Sequence, residues 1–334
     1  MKRLRMLTVA ALAGILALNL SLPSPAAVSP EPVHARPQAA GALSVMTYNV
    51  KGLPFPAAYG RADKLAEIGQ RLGYLRRAGA QPHVVLLQEA FIPEAKAIAR
   101  SAGYTHLALG PQISEVQGAP TDLAMGSSWF RWESLGKWVD SGLVILSDYP
   151  IVRTRRVAFP ADMCAGYDCL AAKGVLLAWV KVPGHEAPIA IADTHLNSRK
   201  ASGVDVDRAN AAYALQVAAA RNFIRANVKA DADIIFGGDF NIGHDPRRLA
   251  AEDAEGGILP GAREATSLAN SVDTAGMTAR DRAAILARAK DKQYFRAGTD
   301  NGLALRDLEV PFGIGNGGTE LSDHLGFIAS YAVR

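Results

Sequence analysis

Five short apolar segments of the chain each end in polar side chains that can bind a cation or a phosphate. One of them runs from Asp233 to Asn241 (DIIFGGDFN), where three apolar residues precede two glycines, Asp239 and Asn241. Side chains at positions i and i+2 of a strand point the same way, so a buried strand here places Asp239 and Asn241 together at its end. A carboxylate beside a carboxamide suits a hard divalent cation or a phosphoryl oxygen.

Four further segments have the same form. Two of them end in a single such group: Leu43–Asn49 (LSVMTYN) in Asn49 and His83–Glu89 (HVVLLQE) in Glu89. The other two are Ile189–Asn197 (IAIADTHLN), which ends in Asp193, His195 and Asn197, and Leu321–Phe327 (LSDHLGF), which carries Asp323 and His324. One polar residue after a strand usually begins a solvated loop. Five such ends in one chain predict instead that the strand ends share a site.

Apolar runs of strand length alternate with amphipathic helical patterns. Apolar residues recur every three or four positions from Leu65 to Leu75 and again from Ala209 to Ile224, which predicts helices packed on a sheet. Hairpins mixed with helical crossovers favour an α/β architecture of two packed sheets with helices outside. The predicted strands lie near 43–49, 83–88, 142–147, 151–158, 174–182, 188–194, 233–237 and 324–331, with a hairpin turn at Pro183 and Gly184. The alanine- and charge-rich stretch 250–292 is predicted to form surface helices.

The first residues are typical of a secretory signal peptide. Three basic residues precede a 15-residue apolar run, Met6–Leu20, and small residues and prolines continue to Ala27. The run is short for a membrane span, and an uncleaved anchor is the alternative. We therefore expect residues 1–27 to be a signal peptide, 28–42 a flexible lead-in and 43–334 one domain, in a protein that is secreted or periplasmic.

The charge balance argues against a nucleic-acid partner. The chain has 36 basic and 32 acidic side chains, and three of the basic ones lie in the predicted leader, which leaves 33 against 32. A duplex-binding protein more often carries a clear basic excess.

The two cysteines, Cys164 and Cys169, are five residues apart. In an exported protein this spacing predicts a local disulfide. Two cysteines without a nearby histidine are too few for a structural zinc site. A bond here would stiffen the backbone just before Lys173.

Three of the four tryptophans, Trp129, Trp132 and Trp138, lie within ten residues. One interpretation is an aromatic surface that meets a bilayer or a choline headgroup, with Trp129 and Trp132 as substrate-binding residues. The alternative is core packing at one edge of the sandwich.

The motifs, in their order, resemble those of the endonuclease/exonuclease/phosphatase superfamily, which has the DNase I-like fold. The resemblance extends from Leu43 to the C-terminus and rests on YNV at Asn49, LLQE ending at Glu89, DTHLN around His195, GGDFN ending at Asn241, and SDH at Ser322–His324. It implies a four-layered sandwich of two mixed sheets face to face, with helices outside. It also implies phosphoester hydrolysis with a divalent cation, usually Mg²⁺, with Mn²⁺ or Ca²⁺ as alternatives. Within the superfamily, Asp168–Val180 (DCLAAKGVLLAWV) is similar to a segment of bacterial and neutral sphingomyelinases.

Phosphodiester hydrolysis needs in-line attack by water, neutralisation of the non-bridging oxygens and protection of the leaving oxygen. The resemblance assigns Glu89 and Asn49 to the metal, and Asp323 to the metal site or its local field. A carboxylate that caps the following segment is the alternative for Glu89. We expect His324 to be the general base, since imidazole accepts a proton near neutral pH.

Three further side chains complete the predicted catalytic set. Asp239 would orient the attacking water or accept its proton, and Asn241 would donate to a phosphoryl oxygen. His195 would donate to a non-bridging oxygen or protonate the leaving alkoxide, and the spacing leaves open which histidine is acid and which is base. Asn197 and Lys173 are predicted to contact the substrate, with a solvated lysine as the alternative for Lys173.

The resulting functional hypothesis is a secreted phospholipase C-type phosphodiesterase that hydrolyses sphingomyelin to ceramide and phosphocholine at a membrane surface. An extracellular metal-dependent endonuclease is the second hypothesis. A binding or toxin-like module on the same fold without catalysis is the third. No protein partner is evident from the sequence.

Overall fold

Two mixed β-sheets, one of seven strands and one of six, form the centre of the molecule. The structure is a computed structural model that describes residues 41–119, 123, 126, 132–299, 302–313 and 320–333. The strands are β1 (Ala42–Gly52), β2 (Val84–Ala90), β3 (His106–Leu109), β4 (Val144–Ser147), β5 (Ile151–Ala158), β6 (Gly174–Val180), β7 (Ile189–His195), β8 (Ile234–Asp239), β9 (Arg263–Glu264), β10 (Asp273–Gly276), β11 (Asp291–Arg296), β12 (Leu303–Glu309) and β13 (Phe327–Val333).

The strand order is β10-β12-β13-β1-β2-β4-β3 in the first sheet and β5-β6-β7-β8-β11-β9 in the second. Parallel pairs, β1 with β2 and β7 with β8, lie at the middle of the two sheets. The pairs next to them are antiparallel, including the predicted hairpin β6–β7. The carboxyl ends of each central pair therefore open at one edge of their sheet.

Five of the described helices cover the outer faces, and the sixth packs through Ile285 on the apolar cluster between the sheets. They are α1 (Arg61–Arg77), α2 (Pro93–Lys96), α3 (Ile98–Ser101), α4 (Val206–Asn227), α5 (Pro246–Asp253) and α6 (Ala279–Arg288). The predicted stripe from Leu65 to Leu75 on α1 packs against the first sheet, and the buried face of α4, with Tyr213 and Val217, packs against the second. A third apolar cluster lies between the sheets, so the four-layered DNase I-like sandwich is confirmed.

All eight predicted strands are present, but the prediction of surface helices for 250–292 is wrong in part. The stretch contains the end of α5 and all of α6, yet it also contains β9, β10 and the start of β11. Along β11 the side chains of Asp291, Gln293 and Phe295 are buried in alternation. Two of these inward residues are polar, and Gln293 donates to the Val45 carbonyl of the opposite sheet (2.9 Å). A strand with a polar inner face has no apolar alternation to detect.

The predicted signal peptide and nearly all of the predicted lead-in lie outside the described residues, and both stay predictions. Among the residues that are described, no helix is both long enough and apolar enough to cross a membrane.

Glu252, in α5, makes the stability of the fold depend on pH. Burial raises the pKa of its carboxyl from 4.5 to about 7, although Tyr294 donates a hydrogen bond to it. The folded state therefore holds this proton more tightly than the unfolded state, so stability is lost as the pH rises from about 4.5 to about 7. Between pH 5 and pH 8, we expect the free energy of unfolding to fall by roughly 3 kcal/mol more in the wild-type protein than in Glu252→Gln. Urea denaturation at the two pH values measures this difference. Equal pH dependence in the two proteins would contradict the burial of an acid here.

Candidate active site

The two sheets meet at the predicted strand ends. Asn49 ends the regular pairing of β1 with β2, and its Nδ2 donates both to Glu89 Oε1 (3.0 Å) and to Asp239 Oδ2 (3.0 Å). In the second sheet His195 pairs with Asp239 across β7 and β8, and His195 Nε2 lies 3.7 Å from Asp239 Oδ2 and 3.9 Å from Glu89 Oε1. The structure thus brings Asn49, Glu89, His195 and Asp239 to one point.

Backbone strain accompanies this convergence. Glu89 has φ 56° and Asn241 has φ 50°, in the left-handed region that non-glycine residues rarely occupy. Such conformations cluster at functional sites because the surrounding structure must hold them in place. In this conformation the Glu89 side chain accepts a hydrogen bond from Asn49.

The two carboxylates form an oxygen-rich site that suits a divalent cation. Burial raises the pKa of Glu89, the bond from Asn49 opposes this rise, and the nearby Asp239 adds to it. Two close, buried carboxylates are unfavourable unless positive charge is supplied. Hard oxygen donors and a Glu89 side chain that keeps 18% of its surface exposed fit a magnesium-like ion that retains waters.

The orientation of Asn49 differs from that expected of a metal ligand. Its Oδ1 accepts the backbone N–H of Lys51 (3.0 Å), so the amide faces the carboxylates through Nδ2. Asn49 therefore holds Glu89 and Asp239 side by side, and its role as a ligand stays a prediction.

His324 lies between two carboxylates. Its Nδ1 is 2.8 Å from Asp291 Oδ2, and its Nε2 is 3.6 Å from Asp239 Oδ2. Burial by itself would lower the pKa of His324, but the charges of Asp291 and Asp239 overcome this effect and raise the pKa to about 9. The geometry is that of a carboxylate that orients a histidine whose second nitrogen faces the reaction site.

The Asp239–Asp291–His324 group has ligand atoms within 4.8 Å of one another, as a metal site would. Because Nδ1 of His324 is engaged by Asp291, the arrangement fits an acid–base pair better. Asp291 is a functional residue that sequence reasoning missed, since it lies in the stretch that was predicted to be helical.

The SDH segment is fixed to the end of β1. Ser322 Oγ donates to the Asn49 carbonyl (2.7 Å), and Arg61 Nη2 donates to the carbonyls of Val50 and Leu321 (2.8 and 2.7 Å). These bonds position His324 over the site.

The carboxylate of Asp323, next to His324, does not join the buried carboxylates of the site. Its carboxylate accepts from Lys51 Nζ (3.1 Å), and about half of the side chain, 52%, is exposed. The structure therefore places Asp323 at the rim in an ion pair, and its predicted contribution to the metal site stays a prediction.

His195 is held neutral. Its Nε2 lies 3.1 Å from Lys173 Nζ, and burial together with the Lys173 charge lowers the pKa of His195 to about 3, against the opposing effect of Asp239. Because the Lys173 ammonium donates to Nε2, the single N–H of the neutral ring is on Nδ1, which is buried without a hydrogen-bond partner among the described residues. Of the two histidines, only His324 is therefore charged at that pH.

Lys173 is buried, so the alternative of a solvated lysine is wrong. Its ammonium forms an ion pair with Asp168, contacts His195 and donates to the Leu196 carbonyl (3.0 Å). Asp168 also accepts from the Ser198 hydroxyl. Sequence reasoning did not identify Asp168, although it lies inside the predicted disulfide loop.

The predicted disulfide between Cys164 and Cys169 is present. It closes the loop that carries Asp168, directly before Lys173. The bond therefore closes the loop that carries one partner of the ion pair behind His195. The expected local stiffening stays a prediction.

Asn241 and Asn197 differ in what they offer. Asn241 Nδ2 donates one hydrogen to the Leu196 carbonyl (3.0 Å), which leaves its second N–H for a ligand. Asn197 is fully buried, accepts from the Ala165 N–H (3.0 Å) and donates to the Ser198 carbonyl (2.9 Å). Its contacts are those of a loop support, and its role in substrate binding stays a prediction.

Exposed aromatic side chains lie beside the site. Trp132 and Trp138 stack with ring centroids 5.3 Å apart and are 44% and 53% exposed, so core packing is wrong for these two. Trp138 lines a cavity of about 220 Å³ together with Ala90 and Phe91, which directly follow Glu89. Trp129 lies outside the described residues, and its role stays a prediction.

A second exposed aromatic pair lies on the loop after β1. Phe55 and Tyr59 are 74% and 75% exposed, with an edge-to-face contact at 5.2 Å. Sequence reasoning missed this pair, whose members are four residues apart in a loop of proline and alanine without strand or helix periodicity.

Comparison with known proteins agrees with the fold. The model of the endonuclease/exonuclease/phosphatase family matches residues 46–324, which include Asn49, Glu89, His195, Asp239 and His324. None of the curated proteins matches the chain in sequence.

Several solved structures are similar in fold. Sphingomyelinase C from Streptomyces griseocarneus is 20% identical, with 86% of this chain and 99% of that chain covered and a TM-score of 0.58. A beta toxin variant from Staphylococcus aureus with bound magnesium ions is 18% identical, with 86% and 98% covered and a TM-score of 0.58. A humanized TDP2 from D. rerio is 16% identical, with 87% and 99% covered and a TM-score of 0.53.

The family match spans most of the chain and includes every side chain of the convergent site, and enzymes of this family depend on a divalent metal. The chain belongs to the endonuclease/exonuclease/phosphatase family and is a phosphodiester hydrolase.

Proposed function

We propose that the protein hydrolyses the headgroup phosphodiester of a membrane phospholipid, with sphingomyelin as the substrate and ceramide and phosphocholine as the products. The observation that carries the lipid assignment is the presence of two exposed aromatic pairs, Phe55 with Tyr59 and Trp132 with Trp138. The first follows the end of β1, and Trp138 of the second lines the same cavity as Ala90 and Phe91, which follow Glu89. Exposed aromatic side chains suit the interfacial zone of a bilayer.

Glu89 and Asp239 would hold the cation, which we propose to be Mg²⁺. A cation bound there neutralises the non-bridging oxygens of the phosphodiester. The bound magnesium in the similar beta toxin supports this choice.

The proposed proton transfers use the two histidines in different roles. Asp291 fixes the His324 ring, and in the unprotonated form of His324 its Nε2 accepts a proton from the water that attacks phosphorus. The bond from phosphorus to the ceramide oxygen breaks, and that oxygen takes a proton from solvent water. Asp239 orients that water, and the free N–H of Asn241 donates to a non-bridging oxygen. His195 is neutral, and its Nε2 accepts a hydrogen bond from the Lys173 ammonium, which Asp168 holds in an ion pair, so Lys173 fixes the ring in the site.

The partner and compartment follow from the same proposal. A phospholipid at a membrane surface is the partner, and the near-neutral charge of the mature chain does not favour a nucleic acid. An enzyme of this kind acts outside the cytoplasm, secreted or periplasmic, which agrees with the predicted signal peptide.

A substrate panel tests the proposal. The purified protein with Mg²⁺ is incubated with sphingomyelin vesicles, phosphatidylcholine vesicles, plasmid DNA and bis(p-nitrophenyl) phosphate. Release of phosphocholine from sphingomyelin supports the proposal. DNA nicking without phosphocholine release would replace it with the endonuclease hypothesis, and inactivity on all four substrates would leave the hypothesis of a binding module.

Variants of the exposed aromatic residues can be compared on the vesicle substrates and on the soluble diester of the same panel. We expect Phe55→Ser and Trp138→Ser each to lower the rate on vesicles about tenfold, because each removes apolar area that is transferred into the bilayer. The rate on the soluble diester should change less than twofold. Leu286→Ser, at an exposed apolar residue of α6, is the control for loss of surface hydrophobicity. Equal losses on soluble and vesicle substrates would contradict a membrane role.

A further inference from the structure

Arg248, in α5, is a completely buried arginine behind the active site. Its Nη1 donates to the carbonyl oxygens of Asn197 (2.7 Å) and Asn241 (2.8 Å). These carbonyls belong to different loops, one after β7 and one after β8. A single nitrogen of Arg248 therefore joins the loop that follows His195 to the loop that follows Asp239.

The rest of the guanidinium is held by α4. Nε donates to Asn210 Oδ1 (2.7 Å), and the guanidinium carbon lies 4.4 Å from the centre of the Tyr213 ring. Asn210 in turn donates to Asp245, the residue that caps the N-terminus of α5. The position of the guanidinium is thus fixed from the side opposite the active site.

Packing alone does not account for an arginine at this position. Burial of the guanidinium lowers its pKa, and among the described residues its hydrogen-bond acceptors are carbonyl and amide oxygens, with no carboxylate. Burial of a charge that lacks a directly bonded opposite charge costs several kcal/mol, and an apolar side chain would fill the same space without that cost. An apolar side chain could not, however, donate hydrogen bonds to the carbonyls of Asn197 and Asn241 in the two loops.

The loop that Arg248 contacts is strained where it enters the active site. Asn241 has φ 50°, its backbone N–H donates to Asp239 Oδ1 (3.0 Å), and its Nδ2 donates to the Leu196 carbonyl (3.0 Å). Asparagine adopts the left-handed conformation more readily than other non-glycine residues, but it is still an uncommon conformation that the surrounding contacts must hold. The bond from Arg248 to the Asn241 carbonyl is placed to hold this conformation, and with it the Asp239 carboxylate.

We propose that Arg248 is a positioning residue for the phosphodiester hydrolysis reaction. It fixes the loops after β7 and β8 at one separation, so that Asp239, Asn241 and His195 face the same phosphate. The inference rests on the proposed roles of these three side chains, and it adds to the site a residue that does not touch the substrate.

Arg221 provides a matched control. It is an equally buried arginine, 2% exposed, on α4, and it donates to the carbonyls of Gly257 (3.0 Å) and Ala251 (3.0 Å), away from the strand-end loops. Arg248→Met and Arg221→Met therefore remove the same group from buried positions, with the difference that Arg221 also pairs with the exposed Glu255 (3.6 Å). Their effects on thermal stability should be similar, and their effects on catalysis should differ.

The first experiment measures kcat and KM for both variants on the diester that the wild-type protein hydrolyses, well below the lowest melting temperature. We expect Arg248→Met to lower kcat by roughly 100-fold, the scale of a small misplacement of reacting groups, with KM changed less than threefold. Arg221→Met should keep kcat within twofold. Arg248→Lys, which keeps a charge and some donors, should recover part of the loss. Equal kcat for the two methionine variants would overturn the proposal.

A second experiment does not depend on turnover. Hydrogen exchange is measured at the backbone amides of Asn241 and Leu196, which donate to the side chain and the carbonyl of Asp239. We expect both amides to exchange faster in Arg248→Met and at the wild-type rate in Arg221→Met. If the wild-type protein hydrolysed none of the substrates, the proposed function would fail, whereas the exchange rates would still decide whether Arg248 orders these loops.

Discussion

Replacement of His324 by alanine is expected to lower kcat by at least ~100-fold on any phosphodiester that the protein hydrolyses. The substitution removes the one imidazole in the site whose Nδ1 is held by a carboxylate and whose Nε2 faces Asp239. KM should change little, because the ring acts on the attacking water. His106→Ala, in the edge strand β3, is the control and should retain wild-type turnover. Turnover near the wild-type value in His324→Ala would remove His324 from the mechanism.

The pH dependence of kcat/KM tests whether His324 acts as a general base or has only a structural role. A general base works in its unprotonated form, so kcat/KM should rise as the pH rises through the pKa of His324, which the two carboxylates place at about 9. Asp291→Asn removes one of these charges and therefore lowers that pKa. The rising limb should move to lower pH, and the maximal rate should fall because the ring is no longer oriented by a carboxylate. If the rising limb of the kcat/KM profile lay at the same pH in Asp291→Asn and in the wild-type protein, the protonation of His324 would not control the rate.

Glu89→Gln is expected to produce the second large loss, roughly 1,000-fold in kcat/KM, the scale of several kcal/mol of transition-state stabilisation by a cation. The same substitution should raise the melting temperature in the absence of divalent cations. The reason is that it removes one of two close carboxylates, whose burial and mutual repulsion raise the pKa of Glu89. The cost of ionising Glu89 applies above its folded-state pKa, so the gain in stability should be present at pH 8 and disappear in acid.

Thermal denaturation with and without Mg²⁺ tests this prediction. The wild-type protein should gain about 2.7 kcal/mol at a cation concentration 100 times the dissociation constant, and Glu89→Gln should gain far less. Glu252→Gln is the matched control, because it also neutralises a buried carboxyl with a raised pKa but lies outside the site. It should retain both activity and the response to Mg²⁺. A wild-type-like response in Glu89→Gln would exclude Glu89 as a ligand.

The sequence predicted those parts of the site that follow from strand ends. Apolar runs that stop at Asn49, Glu89, His195 and Asp239 identify both the strands and the polar groups, because buried strands of this kind carry a strong hydrophobic signal. The convergence of the ends follows from the central parallel pairs.

The supporting residues could not be predicted in this way. Asp291 lies on a strand whose inner face is partly polar, and Arg248 lies on a short helix eight residues long. Their importance arises from contacts across long sequence separations, which periodicity does not reveal. Asp323 shows the converse limit, since its motif position suggested a ligand whereas its side chain forms a rim ion pair with Lys51.

The packing of the two sheets against each other also controls the geometry of the active site at their edge. Glu89 belongs to one sheet and Asp239 to the other, so the gap between them is set by how deeply the interior side chains interlock. At Gly237 a methyl group would lie only 2.6 Å from Leu86 Cδ1 and 2.7 Å from Thr47 Oγ1. A larger residue at position 237 would push the two sheets apart below the cation ligands. Gly237 has no side chain that could bind a cation, yet it helps to set the distance between the Glu89 and Asp239 carboxylates.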